Sequence, residues 1–496
     1  MFTNIALGFA GVFTAYNFLF MVIGLVVGII FGALPGFSAT MAVAVFVPFS
    51  YVLDAGSAML LLSGVYCGAI YGGSIPAVLL GIPGTPASVP TSMEGHPMLK
   101  KGEGGQALGL VTFASSFGGL TSSIALLICA PLLALIAMRV GPPEQMMIAV
   151  LGLSVVSMLS EGNMVRGVFI CFVSLVIACI GQDPVLGFPR FTFGNYKLSG
   201  GLEVVSVLIG LFSLPEVFKT VISIRDEKKL ILASSENKVT LPWKIINTNW
   251  LNLLRSSIIG IVVGIIPAAG PDIASFLAYN ESKKASKNKH MYGHGSCEGL
   301  IASESANNGV TGGSLIPLLT LAIPGSAPAA IFLGAMIIKG LRPGPLLFTS
   351  HASEVYTLIV GFAVINIMIL FVGLLFCKVA KKILIIPKQV LVTLIIILTV
   401  VGSYSIQQNI SDVITMFIAG IVGYFLTKYK YPLSPIALGL LLGPMLEESI
   451  MLTGTMYPNF FMIFTRPIVD IFAFFIIASL FWPLISKKIK KRSEKR

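Results

Sequence analysis

Four short stretches of the sequence combine glycine and proline with small hydroxyl or amide side chains: Gly32–Ser38 (GALPGFS), Gly72–Pro86 (GGSIPAVLLGIPGTP), Pro267–Asp272 (PAAGPD) and Gly312–Ser326 (GGSLIPLLTLAIPGS). Each interrupts an apolar run. Proline removes a backbone donor and glycine frees the chain, so a helix breaks there. The peptide groups exposed by the break are tolerated in a bilayer only where protein, solute or water meets them. Broken helix N-termini offer free N–H donors and partial positive charge, which attract anions, whereas unwound carbonyls and amide oxygens suit Na⁺. The residues placed to hold a small polar solute are Pro35, Gly36, Ser38, Thr40, Gly72, Gly73, Ser74, Pro83, Gly84, Thr85, Ser275, Asn307, Asn308, Gly312, Gly313, Ser314, Pro324, Gly325 and Ser326, with Thr311 beside them. Two carboxylates in apolar context, Asp272 and Glu304, are the candidates for a coupling cation, Na⁺ or H⁺. A helix cap competes with that role at Asp272, and a position at the membrane interface, bound to backbone, competes at Glu304. Glu447 and Glu448 follow Gly443 and Pro444 and read as a helix end.

Glycine and proline are common in membrane helices, and the spacing Gly24, Gly28, Gly32 also serves close helix approach. What favours a site is repetition in register. Gly24–Ile30 reads GLVVGII and Gly260–Ile266 reads GIVVGII, 236 positions later. Continued without a gap, that alignment sets Pro35 opposite Pro271 and Gly36 opposite Asp272. GGSIP at Gly72 answers GGSLIP at Gly312, and IPGT at Ile82 answers IPGS at Ile323. The chain reads as an internal duplication, and two interrupted segments at corresponding positions are the sequence mark of a transport site.

The elements that must position these breaks are membrane helices. Of 496 residues, 55% are apolar and 11% charged, against roughly 25% charged in soluble domains. Apolar runs long enough to cross a bilayer as helices, about 20 residues each, fall near 18–34, 56–80, 107–138, 145–160, 165–181 and 203–222. The second half supplies 251–267, 314–338, 354–377, 389–405, 411–427, 434–446 and 467–485. The expected fold is an all-α polytopic membrane protein of roughly 12 transmembrane segments, with Gly32–Leu53 and Pro83–Pro97 as possible re-entrant hairpins. Repeat 1 covers 1–224, a basic cytoplasmic linker 225–250, repeat 2 251–486 and a basic cytoplasmic tail 487–496. Lys283, Lys284, Lys287 and Lys289 follow the second copy's break, whereas only Asp54 follows the first. Lysine-rich loops favour the cytoplasm, so the repeats are expected to be inverted. Residues 1–16 lack the basic start of a cleavable signal peptide and read as an interfacial or first-helix segment.

Other classes find little support. The net charge of +12 sits in loops and the tail, not along one face, so it points to membrane topology and not to nucleic acid. There is no GxxxxGK[ST] for ATP and no HExxH or GxSxG; four histidines leave an intramembrane enzyme short of a base. The six cysteines form no metal-type spacing and read as reduced packing residues. No cofactor is expected beyond a coupling ion.

Longer stretches carry a resemblance. GALPGFSATMAV from Gly32, YGGSIPAVLLGIPGTPASVPTSMEGHPMLKKGEGGQALG from Tyr71 and GQDPVLGFPRFTFG from Gly181 resemble the large membrane subunit of the tripartite tricarboxylate transporters. So do GIIPAAGPDIASFLAYNESKKASK from Gly264, ESANN at Glu304, LTLAIPGSAPAAIFLGAMIIKGLRPGP from Leu319, LGLLLGPMLEES from Leu438 and FTRPI at Phe464. Ala268 stands where that family usually has glycine, Ser303 where it has proline and Ser449 where it has asparagine. The resemblance implies a cation-coupled permease for di- or tricarboxylates such as citrate, in the cell (plasma or inner) membrane. It also implies two partners, a small four-helix membrane subunit and an extracytoplasmic solute-binding protein.

Overall fold

A computed structural model describes residues 2–138, 140–159, 164–183, 186–223, 238–267, 269–383 and 388–478. The linker residues 225–237, the tail 487–496 and Ala268 lie outside the described residues. Helix follows helix: α1 (Phe2–Val12), α2 (Ala15–Ala33), α3 (Ala39–Ser50), α4 (Ala55–Gly72), α5 (Ser74–Leu80), α6 (Val89–Lys100), α7 (Gly104–Ala137), α8 (Pro142–Leu159), α9 (Met164–Ala178) and α10 (Val204–Ser223). The short α11 (Trp243–Thr248) precedes α12 (Trp250–Ile265), α13 (Gly270–Ala285), α14 (Cys297–Leu321), α15 (Ala327–Ile338), α16 (Leu347–Ser350), α17 (Ala352–Ile383), α18 (Lys388–Gln407), α19 (Ile410–Lys428) and α20 (Ser434–Met456). A last described helix, α21, covers Pro467–Ala478. Strands β1 (Gly181–Gln182) and β2 (Pro189–Arg190) form one antiparallel hairpin between α9 and α10.

The chain is an all-α multi-pass membrane protein. Seven described helical segments are long and apolar enough to cross a bilayer, with α4 and α5 counted as one continuous span. The apolar run 314–338 is not one helix: it is cut at Ala322–Ser326, between α14 and α15. α14 also begins well before its apolar part, because its polar first half, Cys297–Thr311, is covered by neighbouring helices and almost wholly buried. Hydropathy alone cannot show a span whose polar side chains face protein.

Succession is the same in both halves. α2 is followed by a break, α3, the kinked pair α4–α5, a second break and α6; α12 is followed by a break, α13, α14, a second break and α15. The glycine signatures sit at the tightest crossings. A Cβ at Gly24, Gly28 or Gly32 of α2 would strike the carbonyls of Leu61, Val65 or Ala69 in α4. In the second half, Gly260 and Gly264 of α12 press in the same way on Ala306 and Val310 of α14. Backbones this close gain dispersion contact along the whole crossing.

The halves are interlocked. α7 packs on α14, and α17 on α4 and α7, while α10 lies against α18 and α19 and α20 against α8 and α9. α10 of the first half and α20 of the second thus each pack against a helix pair of the other half. The end of the linker is held too: Thr240 N donates to Gly105 O at 3.3 Å, at the start of α7.

Candidate functional site

The two kinds of break are built differently. In the first half, the α2–α3 turn carries Gly36 at φ +92°, after Pro35; in the second, the α12–α13 turn carries Gly270 at φ +68°, before Pro271. This one-residue exchange shifts the register. Asp272, opposite Gly36 in the gapless alignment, is the third residue of α13, whereas Gly36 lies in the turn ahead of α3. The carboxylate is therefore placed where a helix N-terminus favours negative charge.

The second breaks match more closely. α5 ends on Gly81 at φ +68° and α14 on Ala322 at φ +58°, both left-handed; the alanine bears a strain that glycine avoids. Gly84 N then donates to Gly73 O at 3.1 Å, and Gly325 N to Ser314 O at 3.4 Å. These bonds fix the internal register from the prolines: Gly73 corresponds to Ser314, and Ser74 to Leu315. Gly84 and Gly325 have no room for a side chain, since a Cβ would meet the carbonyls of Gly32 and Gly264 respectively.

The helices that leave the breaks start around one cavity of about 190 Å³. Its wall is made of Ser38, Ala39 and Thr40 at the start of α3, Thr85, Pro86 and Ala87 ahead of α6, and Ala269 to Asp272 at the start of α13. Ala327 and Pro328 at the start of α15, Ser434 at the start of α20 and Ile70 of α4 close it. Pro86, Pro271, Pro328 and Pro435 each stand at the first or second position of their helix, where the ring pre-sets φ and a missing N–H costs nothing. The starts of four α-helices from both halves, α3, α13, α15 and α20, contribute residues to this one wall, and a helix start carries about +0.5 of a charge. Asp272 is the one carboxylate in the wall.

Of the residues singled out from sequence, Ser38, Thr40, Thr85 and Asp272 line the cavity. The others stand behind it. Ser38 Oγ accepts from Met41 N at 3.1 Å and Ser326 Oγ from Ala329 N at 3.4 Å, so both also cap their helices. Ser275 donates to Asp272 O at 3.0 Å and steadies that turn. Ser74 is turned away, donating to Tyr71 O at 2.8 Å. Ser314 donates to Thr311 O at 3.0 Å. Glu304, Asn307 and Asn308 lie in the buried stretch of α14 and outside the wall. Pro35, Gly36, Gly72, Gly73, Pro83, Gly84, Gly312, Gly313, Pro324 and Gly325 shape the turns and crossings without lining the space.

Two residues escaped the sequence reading. Tyr66 of α4 is fully buried and its hydroxyl lies 3.1 Å from Ser314 Oγ and 2.9 Å from Ser326 Oγ, tying the first half to the second half's break. Nothing local marks it, because its partners lie about 250 positions away. Ser434 was findable: Ser-Pro ahead of an apolar run is a helix-start signal.

Interlocked halves, paired broken helices and a cavity at which helix starts meet define a multi-pass membrane protein built around one internal space. Residues 18–438 match the Tripartite tricarboxylate transporter TctA family, and the chain belongs to that family. It is 34% identical over 458 residues, 90% of this chain and 89% of the relative, to an uncharacterized 52.8 kDa protein in the TAR-I ttuC' 3' region of Agrobacterium vitis. It is 38% identical over 191 residues, 38% of this chain and 79% of the relative, to an uncharacterized protein in the TAR-II ttuC' 3' region of the same organism. No solved structure matches.

Proposed function

We propose that this chain is the large permease subunit of a secondary active importer of small organic anions, di- or tricarboxylates such as citrate, coupled to a cation gradient. The observation that carries the reading is the cavity at which helix starts from both halves meet. Its volume of about 190 Å³ is below the roughly 300–1,000 Å³ of drug-sized pockets and suits a small metabolite. Backbone N–H groups at these starts, with the hydroxyls of Thr40, Thr85 and Ser434, bind the carboxylates; Asp272 holds a coupling cation beside them. The halves act as inverted repeats of one another, spanning the cell inner membrane, and move around the cavity to expose it to either side. A small four-helix membrane subunit completes the permease and an extracytoplasmic solute-binding protein delivers the anion.

The test is uptake of a panel of labelled carboxylates into proteoliposomes holding the permease, the small subunit and the binding protein, under imposed Na⁺ or proton gradients. Gradient-dependent accumulation of one anion, abolished by Asp272→Asn in correctly assembled protein, is the expected result. Normal uptake by that variant refutes the role of Asp272. No flux for any anion in assembled protein refutes the transport reading and leaves a receptor or scaffold. Full flux without the two partners refutes the tripartite arrangement.

A further inference from the structure

α14 carries a buried carboxylate that the cavity does not use. Glu304 is 0% exposed. Thr91 of α6 donates its hydroxyl to Glu304 Oε1 at 2.5 Å, and Ser115 of α7 donates to Oε2 at 2.9 Å. Asn307, one turn further along α14, lies against the same carboxylate. None of the described lysine, arginine or histidine residues forms an ion pair with it; the described ion pairs use other carboxylates.

Counting donors against acceptors defines what is missing. A carboxylate offers about four lone-pair sites, and two hydroxyls fill two of them. Asn307 Oδ1 and Nδ2 and Asn308 Oδ1 are also fully buried, and none of the three has a hydrogen-bond partner. A negative charge without a counter-charge, with unpaired amide groups in the next turn of the same helix, is costly in a buried setting. A proton would answer one oxygen; a metal cation answers several at once. An all-oxygen set with a single carboxylate suits a hard, univalent ion, whereas calcium sites gather more charge.

We propose that Glu304, Thr91, Ser115 and Asn307 form a sodium site, separate from the anion cavity. A hydrogen-bonded series joins the two. Thr311 Oγ1 donates to Asn308 O at 2.6 Å, Ser314 Oγ donates to Thr311 O at 3.0 Å, and Tyr66 OH bridges Ser314 and Ser326. Ser326 caps α15, whose first residues line the cavity. Sodium that settles the first half of α14 thereby also settles the α15 start that faces the anion. The inference rests on the cation-coupled reading above, but its test uses no anion, so an absent sodium site and a failed transport reading give different results.

The experiment is sodium titration of the purified full-length chain in lipid nanodiscs, read by radiolabelled sodium binding and by the thermal unfolding midpoint, with potassium as the reference salt. Wild type binds sodium saturably and gains thermal stability from it. Glu304→Gln weakens the apparent sodium affinity at least about tenfold, and Ser115→Ala and Asn307→Ala weaken it by smaller factors. Glu216→Gln, at an exposed pair with Lys219, titrates as wild type. If Glu304→Gln does not fold, Ser115→Ala and Asn307→Ala carry the test. Unchanged sodium titration in the folded variants, or a sodium response lost only in Asp272→Asn, overturns the proposal.

Discussion

Glu94 of α6 offers a sharp perturbation. Its carboxylate is fully buried and receives four donors: Tyr279 OH at 2.6 Å and Gly293 N at 2.6 Å on Oε1, Gly295 N at 2.9 Å and Ser296 N at 2.7 Å on Oε2. It thus fastens the lysine-rich loop between α13 and α14 to the first half, helped by Lys101 Nζ donating to His294 O at 2.7 Å. In Glu94→Gln, one oxygen becomes an NH₂ that must face two former donors. The tolerable choice turns NH₂ toward Tyr279, whose hydroxyl can rotate to accept, and strands Gly293 N. One orphaned amide costs about 1–3 kcal/mol, and replacing two charge-assisted bonds by neutral ones about 1 kcal/mol each. The expected loss is about 3–5 kcal/mol, concentrated in the loop. Amide hydrogen exchange of the intact chain in nanodiscs reads it directly: Gly293 exchanges at least about 30-fold faster, equivalent to about 2 kcal/mol of local protection, with smaller changes at Gly295 and Ser296. Equal exchange in variant and wild type would show that the carboxylate does not hold the loop.

Two further outcomes follow from packing and from titration. Gly24→Ala drives a methyl into Leu61 O and should cost about 1–3 kcal/mol, whereas Gly454→Ala in α20 meets nothing within 4 Å and should gain up to about 1 kcal/mol; unfolding midpoints of the two variants check the contrast. Burial raises the carboxyl of Glu203, just ahead of α10, with Asp412 adding to the rise and hydrogen bonds from Val205 N and Gln407 opposing it. The folded chain therefore binds that proton more tightly than the unfolded one, so its contribution favours folding at acid pH and is lost as pH rises through the raised value. Glu203→Gln should stabilise more at about pH 8 than at about pH 4; a gain of equal size at both would refute the assignment.

Much of this was legible in the chain itself. Membrane residence and the positions of all four breaks follow from local chemistry: apolar runs of spanning length, glycine at close crossings, proline at helix starts. The breaks are local events, so a local pattern records them. Ser38, Thr40, Thr85 and Asp272, which line the cavity, could be picked out because each lies in or beside a glycine- and proline-marked break. What the chain did not disclose depends on contacts between distant segments. The exchange of Gly and Pro order around Gly36 and Gly270 defeats a gapless alignment, and only the folded turns reveal that Asp272 stands in the first turn of α13. Tyr66 and Glu94 look alike in sequence, polar groups near apolar ones, and Glu304 stands out there only as a carboxylate in apolar context. Their roles separate only when α6, α7 and α14 come together, because a buried polar group is defined by the partners that the tertiary fold brings to it.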